Sequence, residues 1–203
     1  MELSSIYANN AIQLLSDLRR REPEAFAFVF EQYSDKIYRL SVSMLKEEAA
    51  AEGVVQDTFL RLIERLDQFD GRSNLGTWLY RIAYNLSVDR LRQRKPDLML
   101  ADEPEDGRLP IPAQLIEWQQ WPEKLLTDAE VTETLDKAIA ALPEKFRIVF
   151  VLREIEGLST QETAEITNLS LSATKVRLHR ARLFLREQLT QSLLAIGLEK
   201  ETK

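Results

Sequence analysis

The sequence predicts an all-α protein of two small helical domains joined by a flexible, acidic, proline-containing linker. Three observations carry that expectation. Apolar residues recur at three- and four-residue steps through most of the chain, no stretch alternates convincingly with the period of two of a half-buried strand, and prolines gather between two such periodic regions. With 203 residues, 44% of them hydrophobic, composition alone allows one medium domain or two small ones, so the punctuation decides.

Residues 1–22 are read as a lead-in segment and residues 23–95 as a first domain. Pro23 suits the first turn of a helix, where its missing N–H costs nothing. From there Phe26, Phe30, Tyr33, Ile37, Leu40 and Met44 mark one helical face. A second helix is expected over about 49–66, with Val55, Phe59, Leu62, Ile63 and Leu66 inward, ending at the turn signal Phe69-Asp70-Gly71. Beyond the polar loop, Thr77 is expected to cap a third helix that turns Trp78, Leu79, Ile82, Ala83, Leu86 and Leu91 inward and its arginines outward. Pro96 ends it, lacking an amide proton and crowding the preceding turn.

Residues 96–127, with Pro104, Pro110, Pro112 and Pro122 among acids, read as the linker. Trp118 and Trp121 are costly to leave in water there, and docking on the chain's own domain is a simpler reading than docking on a partner. The second domain is placed at 128–190. Val131, Leu135, Ile139 and Leu142 begin it, and after Pro143 a helix carries Phe146, Val149, Phe150 and Leu152 to a stop at Gly157. Two helices follow, over about 159–167 and 170–189, and residues 191–203 form a tail.

The formal net charge of -6 is unevenly spread. Arg72, Arg81, Arg90, Arg92, Arg94 and Lys95 face only Asp89 in one island, and Lys175, Arg177, Arg180, Arg182 and Arg186 face Glu187 in another. The linker between them is acidic. Two basic islands flank an acidic bridge and are the informative feature, although the first taken alone could be an ordinary surface helix with Trp78, Tyr80 and Tyr84 as aromatic core residues.

Other functions are excluded or disfavoured by what is missing. Without cysteine there are no disulfides, zinc-thiolate sites or thiol nucleophiles, and a reducing, cytoplasmic setting is expected. The start lacks a signal peptide's basic and apolar regions, and no run approaches the roughly 18 apolar residues of a membrane span. There is no phosphate-cradling glycine loop, no metal-spaced cluster and no histidine beside a nucleophile, so neither catalysis, cofactor, metal nor small-molecule substrate is expected. Glu162 and Glu165 are read as the solvated face of a helix.

The strongest local signal is GLSTQETAEI (157–166), a turn near Asn168, then SATKVRLHRAR (172–182). This is helix-turn-helix spacing: a supporting helix with small Ala164 at the crossing, a tight connection, and a second helix opening on short polar residues that allow close entry into the major groove. Its amide protons and the cations one turn on can hold phosphate. Val176, Leu178 or Ala181, and Leu185 are expected to face the core. The plainer reading is an amphipathic hairpin with a solvated basic face; the clustering of the bases favours DNA. In the first island, Trp78 reads as core, while loop amides and Asn74 can hold a single-stranded base as arginines grip the backbone.

The runs AAEGVVQDTFLRL (50–62) and FDGRSNLGTWLYRIAYNLSVDRLR (69–92), with the helix-turn-helix, resemble the extracytoplasmic-function (ECF) type of bacterial RNA polymerase sigma factor over nearly all of residues 23–189. Two motif blocks in the right order are far more specific than either alone. The resemblance implies a promoter-specificity subunit without enzymatic activity. It implies that Glu52, Gln56 and Asp57 bind core polymerase at the beta-prime clamp, with a further partner surface in the beta flap. It implies that Arg72, Ser73, Asn74, Arg81, Asn85, Asp89 and Arg92 contact the promoter's minus-ten element, and that Ser172, Thr174, Lys175, Arg177, His179 and Arg180 read its minus-thirty-five element. The family's linker runs toward the RNA exit path, and an anti-sigma factor is an implied partner. One departure is Gly53, where the family often has an acid. The other reading from the residues is a stand-alone helix-turn-helix regulator binding duplex DNA unaided.

Overall fold

Helix follows helix along the chain in this computed structural model, which describes residue 7 and residues 10–71, 73–94 and 129–200, with side chains for all of these but 129–132 and 191–200. The elements are α1 (Ala11–Arg19), α2 (Pro23–Leu45), α3 (Glu48–Arg65) with a 3-10 turn (Leu66–Gln68), α4 (Leu75–Arg94), α5 (Ala129–Ala141), α6 (Glu144–Phe150) with a π-helical turn (Val151–Ile155), α7 (Thr160–Thr167) and α8 (Leu171–Lys200). The described residues contain no strand. The linker expectation, with Trp118 and Trp121, lies outside the described residues.

Helices α2, α3 and α4 enclose the first core, in which Val29, Ile37, Leu40, Met44, Val54, Leu62, Leu79 and Ala83 are buried. Small Ala50, Ala51 and Thr58 face inward on α3, and the buried hydroxyls of Ser41, Thr58 and Ser87 each donate to a carbonyl one turn back. The expected faces are inward except at Phe30 and Ile63. Val29 rather than Phe30 is buried on α2, and Val54 and Thr58 rather than Ile63 on α3, because short side chains let the helices approach closely where they cross.

Helix α1 was not anticipated within the lead-in segment. Asn10 caps it, accepting from the Gln13 amide at 3.0 Å, and Leu14 and Leu18 are its buried anchors. Two buried side chains in nine residues give too little periodicity to read from sequence alone.

The second core is formed by Ala138, Leu142, Phe146, Val149 and Phe150 against Leu178, Ala181, Leu185 and Leu189 of α8. The other side of α6 and α7 belongs to the first core: Ile148, Val151, Leu152 and Ile166 are buried there. Each contributes on the order of 1.5–3 kcal/mol by leaving water, so the two helical units share an apolar seam. Arg147, 3% exposed, spans it, donating to Ser43 O at 2.6 Å, Ala140 O at 3.0 Å and Leu142 O at 2.8 Å. Lys46 Nζ reaches Ala140 O from the first unit at 3.2 Å.

Candidate nucleic-acid interface

The loop before α4 is built around Asn74. Its side-chain Oδ1 accepts from the Thr77 amide at 2.7 Å and its carbonyl accepts from Trp78 N, so Asn74 and not Thr77 caps the helix. Gly71 takes a left-handed φ of 74° where the chain turns. With Oδ1 engaged, the amide Nδ2 is the group Asn74 can aim outward, and it donates to Glu162 Oε1 at 2.7 Å.

From this cap α4 presents Arg81, Asn85, Asp89 and Arg92 along one exposed stripe, at the i, i+4, i+8 and i+11 positions of one helix face. Ser73 stands half-buried at its foot. The structure thus brings together six of the seven residues assigned to this face. Arg72, the seventh, lies outside the described residues.

A different stripe runs along α3. Glu52 and Gln56 are exposed on it and continue into Leu60 and Ile63, which are 54% and 42% exposed. Phe30 of α2 packs on Phe59 beside them, ring centroids 4.7 Å apart. Asp57 sits toward α4, its Oδ2 accepting from Arg90 Nη2 at 2.6 Å. Sequence reading found the polar members of this stripe and missed its apolar ones, having turned Ile63 inward.

In the second unit, Ser159 caps α7 by accepting from the Glu162 amide, and Glu162 Oε2 accepts from Ser159 N at 2.8 Å, a reciprocal capping box. That bond with the Ser159 amide is the main reason the Glu162 carboxyl is held below its ordinary value. Asn168 takes φ 56° at the turn into α8. Helix α8 then exposes Ser172, Lys175, Val176 and His179, with Arg180 half-buried beside them.

Two residues assigned to this DNA face are placed elsewhere. Thr174 is fully buried, donating to Ser170 O at 3.0 Å, and Arg177 is 6% exposed. Val176, expected in the core, is 38% exposed. The inward row is Thr174, Leu178, Ala181 and Leu185; the last three face the core as expected, and Thr174 takes the place expected for Val176 because it satisfies its own hydroxyl within the helix.

The largest departure concerns the acids of the second unit. Glu162 is not simply on a solvated face: its Oε1 accepts from Asn74 Nδ2 and from Thr77 Oγ1 at 3.0 Å. Glu165 stands 3.6 Å from Arg81. Glu156, its side chain 1% exposed, accepts from Tyr80 OH at 2.7 Å and from Arg39 Nε at 2.8 Å. Burial and this bond push the Tyr80 phenol well up, so it stays a neutral donor, and the bond to Glu156 raises Arg39. Nothing in the sequence pairs acids with positions some 80 residues earlier.

Among the described residues no cluster of His, Cys, Asp or Glu is placed to hold a metal, and no helix is long and apolar enough to cross a membrane.

Comparison with known proteins matches residues 29–96 to Sigma-70 region 2 and residues 132–185 to Sigma-70, region 4. The chain is 38% identical over 176 residues to the ECF RNA polymerase sigma factor SigW of Bacillus subtilis, covering 86% of this chain and 94% of that one. It is 32% identical over 171 residues to the ECF RNA polymerase sigma-E factor of Escherichia coli, covering 83% and 88%. Among solved structures it is similar to CnrH in complex with the cytosolic domain of CnrY, with a TM-score of 0.56, 25% identity and coverage of 90% and 96%. It shares the fold of the Bartonella quintana sigma factor RpoE, solved with the anti-sigma factor NepR, at a TM-score of 0.59, 24% identity and coverage of 81% and 96%.

Proposed function

The chain belongs to the ECF family of RNA polymerase sigma factors, and from that premise we propose how its surfaces divide the work of promoter-specific initiation. The family consists of transcription initiation factors. In this reading the chain binds core polymerase, carries it to promoters with a minus-ten and a minus-thirty-five element, works in the cytoplasm, and is controlled by a separate anti-sigma factor.

The observation that carries the assignment is the continuity of Asn74 with the exposed stripe Arg81, Asn85, Asp89 and Arg92. A cap whose amide points outward can hydrogen-bond the edge of an unstacked base, while cations further along the helix hold the flanking phosphates. Ser73 lies beside the captured base, and Arg72 is assigned to the same element. Glu52 and Gln56, with exposed Leu60 and Ile63, form a polar and apolar stripe suited to docking on the beta-prime clamp, and Asp57 supports it from the α4 side. On α8, Ser172, Lys175, His179 and Arg180 meet the minus-thirty-five duplex; Thr174 and Arg177 act from beneath by fixing the helix. The helical unit of residues 23–95 and that of 128–190 are the two DNA-reading domains, each weak alone and cooperative once polymerase fixes their separation. The second unit also meets the beta flap.

The test is in vitro transcription with bacterial core polymerase and genomic fragments, with and without the protein, mapping new start sites. New starts preceded by two elements at fixed spacing are the expected result. Absence of new starts and of core binding, with the protein alone shifting duplex DNA, would overturn the reading in favour of a stand-alone regulator.

A further inference from the structure

The second unit sits on the face of the first that is assigned to the minus-ten element. Asn74 Nδ2 and Thr77 Oγ1 both donate to Glu162 Oε1, Arg81 faces Glu165, and Tyr80 and Arg39 converge on Glu156. A carboxylate oxygen offers Asn74 the acceptor a base edge would offer, and a second carboxylate offers Arg81 the negative charge of a phosphate. Beneath these polar contacts Val151, Leu152 and Ile166 are buried in the first unit's core, so the cover is seated on an apolar base. The loop and α7 leave a cleft of only ≈ 240 Å³ between them, lined by Ser73, Asn74 and Thr77 on one side and Ser159, Gln161, Glu162 and Glu165 on the other. A DNA strand cannot reach Asn74 while α7 is there. Helix α8, by contrast, keeps Ser172, Lys175 and His179 exposed in the same arrangement.

We infer that the chain masks its own minus-ten face, with Glu156, Glu162 and Glu165 of the helix-turn-helix unit standing in for the promoter strand until polymerase draws the two units apart. This rests on the assignment of Asn74 and Arg81 to the minus-ten element. The device is asymmetric: it hides single-strand capture and leaves duplex recognition open. A binding-competent state that is only fractionally populated weakens apparent affinity by that fraction, so closure need only be favoured tenfold or so to keep the free factor off single strands. The ion pair between Arg81 and Glu165 is the weakest element, being 44% and 40% exposed. The Glu156 cluster and the Asn74–Glu162 bond are the stronger ones.

The chain has no cysteine, so the full-length protein can carry a dye pair through D67C and D136C, both at exposed positions on opposite units and outside the cleft. Energy transfer reports closure, and anisotropy with the non-template strand of a promoter mapped as above reports single-strand binding. The E156Q/E162Q/E165Q variant is expected to lose transfer and to bind that strand about tenfold more tightly, while binding the minus-thirty-five duplex as wild type does. E156Q/E165K leaves the Ser159–Glu162 cap intact and is expected to move the same way by a smaller factor. Loss of transfer with unchanged single-strand affinity would overturn the inference, as would unchanged transfer in both variants. Adding N74A to the open variant separates the two assignments: if binding rises on opening but ignores N74A, the base-capturing role of Asn74 fails; if binding needs Asn74 but does not rise on opening, the masking fails.

Discussion

Arg90 lies across the notch that Gly53 leaves on the facing helix. A Cβ at position 53 would stand 2.7 Å from Arg90 Nη1 and 3.0 Å from Nη2. From that seat Arg90 donates to Ala50 O and to Asp57 Oδ2, tying the helix that carries Glu52 and Gln56 to the helix that carries the stripe proposed to meet the minus-ten element. The departure at Gly53 therefore has a structural counterpart: the side chain that is missing makes room for a cation from α4. Gly53→Ala gains up to about 1 kcal/mol of helix propensity and loses the seated guanidinium. The two are expected to cancel to within about 0.5 kcal/mol in chemical denaturation. Arg90→Ala, which keeps the notch and empties it, is expected to lose about 1 kcal/mol, a figure discounted because Asp57 is 43% exposed. A full propensity gain in Gly53→Ala would show that Arg90 is not held there.

Arg147 makes a stronger claim on stability, because its guanidinium is buried and spends itself on carbonyls of both units. Burial lowers its pKa, yet an arginine remains charged at any accessible pH. Arg147→Ala leaves buried carbonyls without their donor and is expected to cost about 2–4 kcal/mol in urea unfolding. Arg147→Lys keeps the charge but cannot fork between Ser43 O and Leu142 O, and is expected to recover less than half of that loss.

The exposed row of α8 can be separated from its buried row by experiment. Lys175→Ala is expected to leave the melting temperature unchanged, to weaken holoenzyme binding at the minus-thirty-five element, and to reduce the slope of log affinity against log salt by about 1, the signature of one lost phosphate contact. Arg177→Ala, at a buried position, is expected to lower the melting temperature and leave the salt slope nearly unchanged. Calorimetry beside a salt titration checks both, and a salt-slope change in Arg177→Ala would return that residue to the DNA face.

What could be read from the sequence follows from the range of each interaction. Helix limits were legible because they are set locally: Pro23 stands at the first residue of α2, and Asn168 and Ser159 punctuate the helix-turn-helix as their types predict. Which side of a helix faces inward was less legible. It turned on Ala50, Ala51, Thr58 and Thr174, small or self-satisfied residues that pack where helices cross closely, while Phe30, Ile63 and Val176 remained partly in solvent. The members of the stripe proposed to meet the minus-ten element were named together because the resemblance to the ECF family implies them as a set. Their partners Glu156, Glu162 and Glu165 were not, because a carboxylate on an amphipathic helix has the same local pattern whether it meets water or an asparagine from another unit.

The Glu162 carboxyl titrates below its ordinary 4.5, first because of the Ser159 amide, then through the Ser159 hydroxyl, with Thr77 and Asn74 adding smaller contributions. Its folded value is depressed, so its contribution to stability is fully present above pH 4.5 and is lost as pH falls through the lower folded value. Thermal midpoints of the wild type are expected to drop more steeply with acid in that window than those of Glu162→Gln, which has no proton to gain there. Identical acid slopes would mean that the carboxylate is not engaged in solution.

Asn74 performs two tasks with two ends of one amide, and substitution can split them. Its Oδ1 caps α4 and its Nδ2 faces outward onto Glu162. Asn74→Ala loses both, and is expected to cost about 1 kcal/mol of stability from the missing cap along with transcription. Asn74→Asp keeps an oxygen on the Thr77 amide, so the helix cap survives, but it replaces the outward donor with an acceptor. Two consequences follow from that single exchange. The new carboxylate meets Glu162 Oε1 with like charge, so the two units are expected to separate, which energy transfer across them reports. It also has no proton to offer a base edge, so run-off transcription by the holoenzyme is expected to fall as far as in Asn74→Ala. An open, stably folded and transcriptionally inert Asn74→Asp protein would assign the loss to the missing donor; if it transcribed normally, base capture at this position would be wrong whatever the state of closure.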